Sequence, residues 1–249
     1  MTELGIGHAL MTLASEGDEI EKLATENTAL SPVAGYYAVI WANYVLPRRN
    51  ASNPAFIDQP VTDFAELHYT ALTRLLCAQQ SVERLGPLCL QALASTQPAK
   101  EILEVQASLL TFFACTGAAV ENLEKAYEAK PCEGSDLFTE SADVQGTPKW
   151  FYDRRTQYLH KRLVPVFLLD GLLHLDSTVF ASKSVVWQQE SQNVQEITGF
   201  IEKLSTQAVT GLASGWARMY TRLREVAPIQ NIPPAAGLRI TSGSPSRAG

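Results

Sequence analysis

A short basic segment concentrates the side chains of this chain that are suited to phosphate chemistry. Between Lys149 and Arg162 the sequence is KWFYDRRTQYLHKR, in which Asp153 is the one acidic residue. The chain has a formal net charge of −6 and 20 Lys and Arg residues, and five of these lie here: Lys149, Arg154, Arg155, Lys161 and Arg162. Such a concentration in an acidic protein predicts an anion or phosphate site, and the alternative is the solvated face of a surface helix.

Two residues of the segment have the chemistry needed to cleave RNA without a metal ion. The reaction needs a base that takes the proton of the ribose 2′-OH and a group that stabilises charge on phosphorus. Histidine exchanges protons near neutral pH, which suits His160 to the first role. Arginine stays cationic and offers a fork of donors to phosphate oxygens, which suits Arg155 to the second role. The alternative for His160 is a helix residue bonded to Asp153.

Helix geometry predicts how these two residues are arranged. At about 100° per residue, Arg155 and His160 diverge by roughly 140°, so one straight helix does not bring them to the same phosphate. An apolar seam between the two flanks is expected, formed by Tyr152, Leu159, Leu163 and Val166. Two such helices packed seam to seam in a symmetric dimer bring the Arg of one chain near the His of the other.

The spacing Arg155-Thr-Gln-Tyr-Leu-His160 resembles the R-x4-6-H motif of the HEPN superfamily, the higher eukaryotes and prokaryotes nucleotide-binding domains. An apolar helix precedes the motif, a variable loop intervenes, and Pro165 follows five residues after His160. The resemblance covers about 100 residues. It implies an α-helical bundle, usually dimeric, whose active members are metal-independent endoribonucleases with paired Arg and His residues at the dimer interface.

Carried over by position, the resemblance assigns Arg155 and His160 as the catalytic residues. It implies no metal and no cofactor, RNA as the substrate, a homodimer, and an antitoxin-type or regulatory protein as a further partner. Thr156 departs from the polar Asn, Asp or His that commonly follows the Arg in active members. Supporting or phosphate-binding roles are expected for five neighbouring residues: Asp153, Arg154 (an alternative motif Arg), Tyr158, Lys161 and Arg162.

Two hypotheses of function follow from this segment. The first is a HEPN-like endoribonuclease of a toxin or defence type, which leaves a 2′,3′-cyclic phosphate. The second is a non-catalytic helical module of the same build that binds a protein partner or a nucleotide-like ligand. The departure at Thr156 and the acidic total charge favour the second.

The rest of the chain predicts a mainly helical bundle with little or no sheet, all-α in class, with four to six helices. Apolar residues at three- and four-residue steps predict helices over 61–95 and 98–129. Thr62 or Asp63 is expected to cap the first of these, and Gly86-Pro87 to kink or break it. The small-residue patch ACTGAA of the second allows close approach of a neighbouring helix. Further helices are expected from near Trp150, with a bend or an end near Pro165, and over 188–226.

Three segments are expected along the chain. Residues 1–60 form an N-terminal helical extension and connection, and 61–227 form the HEPN-like bundle. Residues 228–249 are rich in Pro, Gly and Ser and are predicted to be disordered. Whether the first 60 residues complete the bundle or form an accessory layer stays open at this stage.

Composition and missing motifs exclude several classes of protein. Of the 249 residues, 46% are hydrophobic and 18% are charged, which excludes whole-chain disorder and collagen-like or coiled-coil proteins. The chain contains none of the motifs GxxxxGK[ST], GxGxxG, HExxH or GxSxG. It therefore lacks the residues that define nucleotide hydrolases, dinucleotide-binding folds, zincins and α/β-hydrolases. The N-terminus has no basic start, and the longest apolar stretch, near 33–46, is short for a membrane span. A cytoplasmic location is therefore expected, with no membrane association.

The remaining candidate side chains favour packing over chemistry. Cys77, Cys89, Cys115 and Cys132 form no C-x-x-C pair and are expected to be reduced core thiols. Asp170, His174 and Asp176 have the residue types of a metal site, but D-G and D-S indicate turns and the leucines between them indicate packing. His68 is expected to be structural.

Overall fold

A computed structural model describes residues 16–47, 59–160, 166–176 and 194–226, apart from the side chains at 59, 156–160, 176 and 194. Within these ranges the chain is mostly helical, as predicted, with one small sheet whose strands were not located from the sequence. The α-helices are α1 (16–26), α2 (Ser31–Ile40), α3 (Gln59–Ala94), α4 (Ala99–Glu128), α5 (Pro148–His160) and α6 (Ile197–Val226). A 3-10 turn at Thr28–Leu30 precedes α2 and a π-helical turn at Trp41–Val45 follows it. The strands are β1 (Val166–Leu169), β2 (Leu172–Asp176) and β3 (Val194–Glu196).

Helices α3 and α4 form a long antiparallel hairpin close to the bounds that hydrophobic periodicity predicts. The predicted cap at Thr62 or Asp63 is wrong, because the helix already includes Gln59. A kink or a break was predicted at Gly86-Pro87; the break is wrong, since α3 continues through Pro87, and the kink stays a prediction. On either side of that proline, Leu85 and Cys89 are buried against α4, and this packing keeps the helix continuous.

Two adjoining clusters of buried side chains make up the core. The first joins residues 24–45 to the N-terminal half of α3, the C-terminal half of α4 and the C-terminal half of α6. The second joins the opposite halves of α3, α4 and α6 to α5 and β2. Residues 24–45 therefore help to complete the bundle. The boundaries at 60/61 and 227/228 stay predictions.

The strands form an antiparallel sheet in the order β1-β2-β3. Asp170 and Gly171, with φ of 50° and 76°, form the two-residue turn between β1 and β2. This Asp-Gly pair is a strong hairpin signal, although only a turn was predicted there. Leu173 and Leu175 of β2 are buried as predicted, whereas Leu172 is exposed.

Helix α6 begins nine residues later than predicted. The carboxylate of Glu196 accepts hydrogen bonds from the backbone N–H groups of Thr198 and Gly199, both at 2.7 Å. These bonds cap the free N–H groups of the first turn, so the helix starts at Ile197.

One described helix, Ala99–Glu128, is long and apolar enough to cross a membrane by length and composition. Half of its most apolar 18-residue window is buried inside the protein. The core helix of a soluble protein passes the same test, so this finding is weak support for a membrane span.

Candidate functional site

Helix α5, which carries the predicted motif, is anchored to the bundle by its first turns. The Thr147 hydroxyl accepts a hydrogen bond from the Trp150 backbone N–H at 3.3 Å and caps the helix. Trp150 and Phe151 are buried in the second core cluster. Pro148 lies against Gly211 of α6, where a Cβ on the glycine would come 2.7 Å from the proline Cγ. The sequence therefore fixes the N-terminal half of α5 by packing.

Gly117 of α4 lies at the point where α5 crosses that helix. A Cβ at this position would lie 2.6 Å from Arg155 Cβ and 2.8 Å from the Phe151 carbonyl oxygen. Contacts this short are not tolerated, so the crossing requires glycine. The predicted close approach at the ACTGAA patch is confirmed.

Arg155, the predicted catalytic arginine, forms an ion pair with Glu121 of α4. One of its terminal nitrogens donates to Glu121 Oε2, and Lys125 Nζ lies 2.7 Å from Glu121 Oε1. Hydrogen bonds from Lys125 and Arg155 lower the pKa of the Glu121 carboxyl. The Arg155 guanidinium carbon also lies 5.5 Å from the ring centroid of Tyr152, and its side chain is 22% exposed. Arg155 is thus held in one orientation on the flank of α5.

Arg154, the alternative motif arginine, points into the protein. The residue is 4% exposed, and its guanidinium carbon lies 5.9 Å from the ring centroid of Trp150. Its Nε has no hydrogen-bond partner. Arg154 is therefore absent from the exposed face on which a phosphate-binding role was expected.

The exposed face of α5 includes Tyr152 and Asp153. The predicted apolar seam, which a second copy would cover, therefore stays a prediction. The face of α5 that is buried within the chain is formed by Trp150, Phe151 and Arg154, because contact with α4 and α6 selects it. The side chains of Tyr158, Leu159 and His160, and the whole of Lys161, Arg162 and Leu163, lie outside the described residues.

Glu121 and Lys125 complete the arrangement and were missed in the sequence. Their spacing of four residues is a visible signal for an ion pair on a helix. The contact of Glu121 with Arg155 joins residues 34 positions apart, and no local pattern predicts it. Burial raises the pKa of the Glu124 carboxyl. The positive charge of Lys149, the third described cation of the basic segment, partly opposes this increase.

The other candidates are structural. His174 lies in the β1-β2 hairpin with its Nδ1 3.2 Å from the Leu172 carbonyl oxygen. The described residues contain no group of three or more His, Cys, Asp or Glu placed to hold a metal ion. All four cysteines are free, and Cys89, Cys115 and Cys132 are buried. His68 is completely buried among aromatic rings, as expected of a structural residue.

The fold and this site define a mostly helical protein whose basic helix is docked on α4 through a glycine crossing and an ion pair. No protein family, no curated protein and no solved structure matches this chain.

Proposed function

We propose that this chain is a HEPN-like, metal-independent endoribonuclease whose site is formed by Arg155 and His160 at a homodimer interface. The observation that supports this best is the fixed Arg155, which Glu121 orients five residues before the histidine that ends the same helix. The substrate in this proposal is cytoplasmic RNA. A restraining antitoxin-type partner fits a toxin or defence role.

The proposed reaction needs only these two side chains. His160 takes the proton of a ribose 2′-OH, and the 2′ oxygen attacks the adjacent phosphorus. The bond from phosphorus to the 5′ oxygen of the next nucleotide breaks, and the protonated imidazole of His160 returns its proton to that oxygen. The products are a 2′,3′-cyclic phosphate and a free 5′-OH. Arg155 donates to the phosphate oxygens as negative charge develops on them.

Glu121 is a positioning residue in this scheme. A guanidinium carries five N–H donors, and one ion pair leaves others for phosphate. Fixing the arginine before substrate binds reduces the entropy lost on reaching the transition state. We therefore expect Glu121→Gln, which keeps the shape of the side chain but weakens the ion pair, to lower the cleavage rate in a protein that still folds.

The testing experiment is RNA cleavage by the purified protein in EDTA. We expect cleavage that leaves 2′,3′-cyclic phosphate ends, and a loss of at least about 100-fold in the Arg155→Ala/His160→Ala double variant. The control is Arg84→Ala, which removes an exposed arginine of α3 and is expected to keep full activity. Equal cleavage by the double variant and the unmodified protein would contradict the proposal.

The second candidate is a non-catalytic module of the same build that binds a partner or a nucleotide-like ligand. It is favoured by the burial of Arg154, which removes the alternative motif arginine from the exposed face of α5. Under this hypothesis the dimeric, folded protein leaves RNA intact. Fluorescence anisotropy with labelled RNA at rising salt then tests for a nucleotide-like ligand, since binding to phosphates weakens steeply with salt. A protein that does not bind the RNA is the result expected of a module for a protein partner.

A further inference from the structure

Two of the four cysteines lie at the same level of the α3-α4 hairpin. Cys77 lies 17 residues before the last residue of α3, and Cys115 lies 16 residues after the first residue of α4. Both helices rise about 1.5 Å per residue, so the antiparallel hairpin places the two cysteines level to within about one residue. Cys89 lies only five residues before the end of α3 and Cys132 lies beyond the end of α4, so neither is level with another cysteine.

The two cysteines also lie on the same side of the hairpin. A surface groove between α3 and α4 is lined by Cys77 and Arg84 on one side and by Ser108 and Thr111 on the other. Cys115 follows Thr111 by four residues, and side chains at this spacing lie next to each other on one face of a helix. Cys115 therefore continues the α4 wall of the groove at the level of Cys77. In agreement with this, Cys77 packs against the second core cluster, of which Cys115 is a member.

Arg74 joins the two helices at this level. It lies one turn before Cys77 on α3, and its guanidinium donates a hydrogen bond to the Cys115 sulfur on α4. Burial raises the pKa of the Cys115 thiol, and a negative charge on Cys77 raises it further, which requires the two sulfur atoms to be near each other. These contacts agree with the position that the hairpin gives to the pair.

The two thiols differ in their access to solvent. Cys77 is half-buried in the wall of the open groove, whereas Cys115 is only 8% exposed. A small oxidant in solution therefore reaches Cys77 first. Cys115 lies behind it, with the cation of Arg74 beside its sulfur to favour the thiolate form as the bond to Cys77 forms. An accessible thiol with a second thiol next to it is the arrangement typical of redox-sensing cysteines.

We propose that Cys77 and Cys115 form a reversible disulfide when the protein is exposed to a peroxide. The Cys77 sulfur attacks one oxygen of hydrogen peroxide, the O–O bond breaks, and the products are a Cys77 sulfenic acid and one water. The Cys115 sulfur then attacks the Cys77 sulfur, the S–O bond breaks, and the hydroxyl leaves as a second water with the thiol proton of Cys115. The two thiols together lose two electrons, which reduce the peroxide.

The packing at this level suits a bond between the two helices. A disulfide joins residues whose Cα atoms lie within about 7 Å, so the helices must approach closely. Ala78 beside Cys77, and the ACTGAA patch that contains Cys115, provide small side chains on both helices. The bond stabilises the hairpin by restricting the unfolded chain, and in a reducing compartment such a bond is transient. This modification does not depend on RNA cleavage.

The test is treatment of the reduced full chain with hydrogen peroxide, followed by digestion and mass spectrometry without reductant. We expect an intact mass lower by two hydrogen atoms and a cross-linked peptide pair that contains Cys77 and Cys115, and dithiothreitol is expected to reverse both. In Cys115→Ser we expect no cross-link and a Cys77 sulfenic acid that dimedone traps, because the second thiol is gone. The matched control is Cys89→Ser, which removes another buried cysteine of the same core cluster and is expected to form the same disulfide.

Three results would overturn the inference. The first is a Cys77 that stays a thiol under peroxide that oxidises glutathione in the same sample. The second is a Cys77 oxidised to the sulfinic acid with no cross-linked peptide, and the third is a disulfide that pairs other cysteines or two chains. The peptide map of the unmodified protein alone distinguishes these results from the expected one, so the test stands even where a serine variant fails to fold.

Discussion

His68 is held in the core without any polar partner. Its ring stacks on Tyr37 at a centroid distance of 4.4 Å and contacts Trp41, Phe64 and Trp216, while both ring nitrogens lack hydrogen bonds. Burial lowers the pKa of the imidazole to about 3, because the charged form is excluded from this apolar surrounding. His68 is therefore neutral in the folded protein at physiological pH.

This burial predicts a specific loss of stability in acid. The folded-state pKa of about 3 lies below the ordinary value of 6.5, so the unfolded chain binds more protons between these values. The contribution of His68 to the free energy of unfolding is thus fully present above pH 6.5, and it is lost as the pH drops towards 3. The contribution is at most about 5 kcal/mol. Urea unfolding at several pH values measures it.

The variant His68→Phe isolates that contribution. A phenyl ring fills similar space without orphaned nitrogens, so we expect neutral or higher stability at pH 7 and a flatter decline between pH 6.5 and 3. Carboxyl groups titrate equally in both proteins and cancel in the comparison. Identical pH profiles for the variant and the unmodified protein would show that His68 is not the titrating group.

Single residues show where sequence-based prediction stops. His68, Cys89 and Cys115 follow from the apolar helical patterns around them. The sequence gives no reason to expect different environments for the adjacent residues Arg154 and Arg155. Arg154 is buried over Trp150 and Arg155 pairs with Glu121, because the contact with α4 fixes the direction in which each side chain points.

At the scale of elements, the crossing of α4 and α5 is the contact that places the motif helix. We predict that Gly117→Ala lowers the free energy of unfolding by about 1–3 kcal/mol, because its methyl group overlaps Arg155 and the Phe151 carbonyl. Gly35→Ala in α2 is the matched control, since a Cβ there meets nothing within 4 Å. The control is expected to gain up to about 1 kcal/mol from helix propensity. Urea denaturation of both variants checks the pair, and equal stabilities would refute the crossing.

The long helices were predictable and the sheet was not, for reasons of period and length. Helices α3 and α4 repeat apolar residues over eight or more turns, so their bounds follow closely from periodicity. The strands are only three to five residues long, and a short continuous apolar run such as VFLL has no period that separates strand from helix. Only the Asp-Gly turn signalled the hairpin.

At the scale of the whole molecule, the core is assembled from contacts between distant parts of the chain. Residues 24–45 share a cluster with the C-terminal half of α6, more than 160 positions later. Patterns within one helix indicate which face is apolar but not which neighbour covers it. For this reason the sequence alone does not place the N-terminal segment in the bundle.

The central claim concerns two chains, since Arg155 of one copy is proposed to act with His160 of the other. Mixing Arg155→Ala and His160→Ala proteins after unfolding and refolding them together tests it most directly. Each variant alone is expected to be inactive, and the mixture to regain about a quarter of normal RNA cleavage in EDTA, because half of the reassembled dimers are mixed and one of their two sites is complete. A mixture as inactive as its components, although mixed dimers are present, would contradict the composite site.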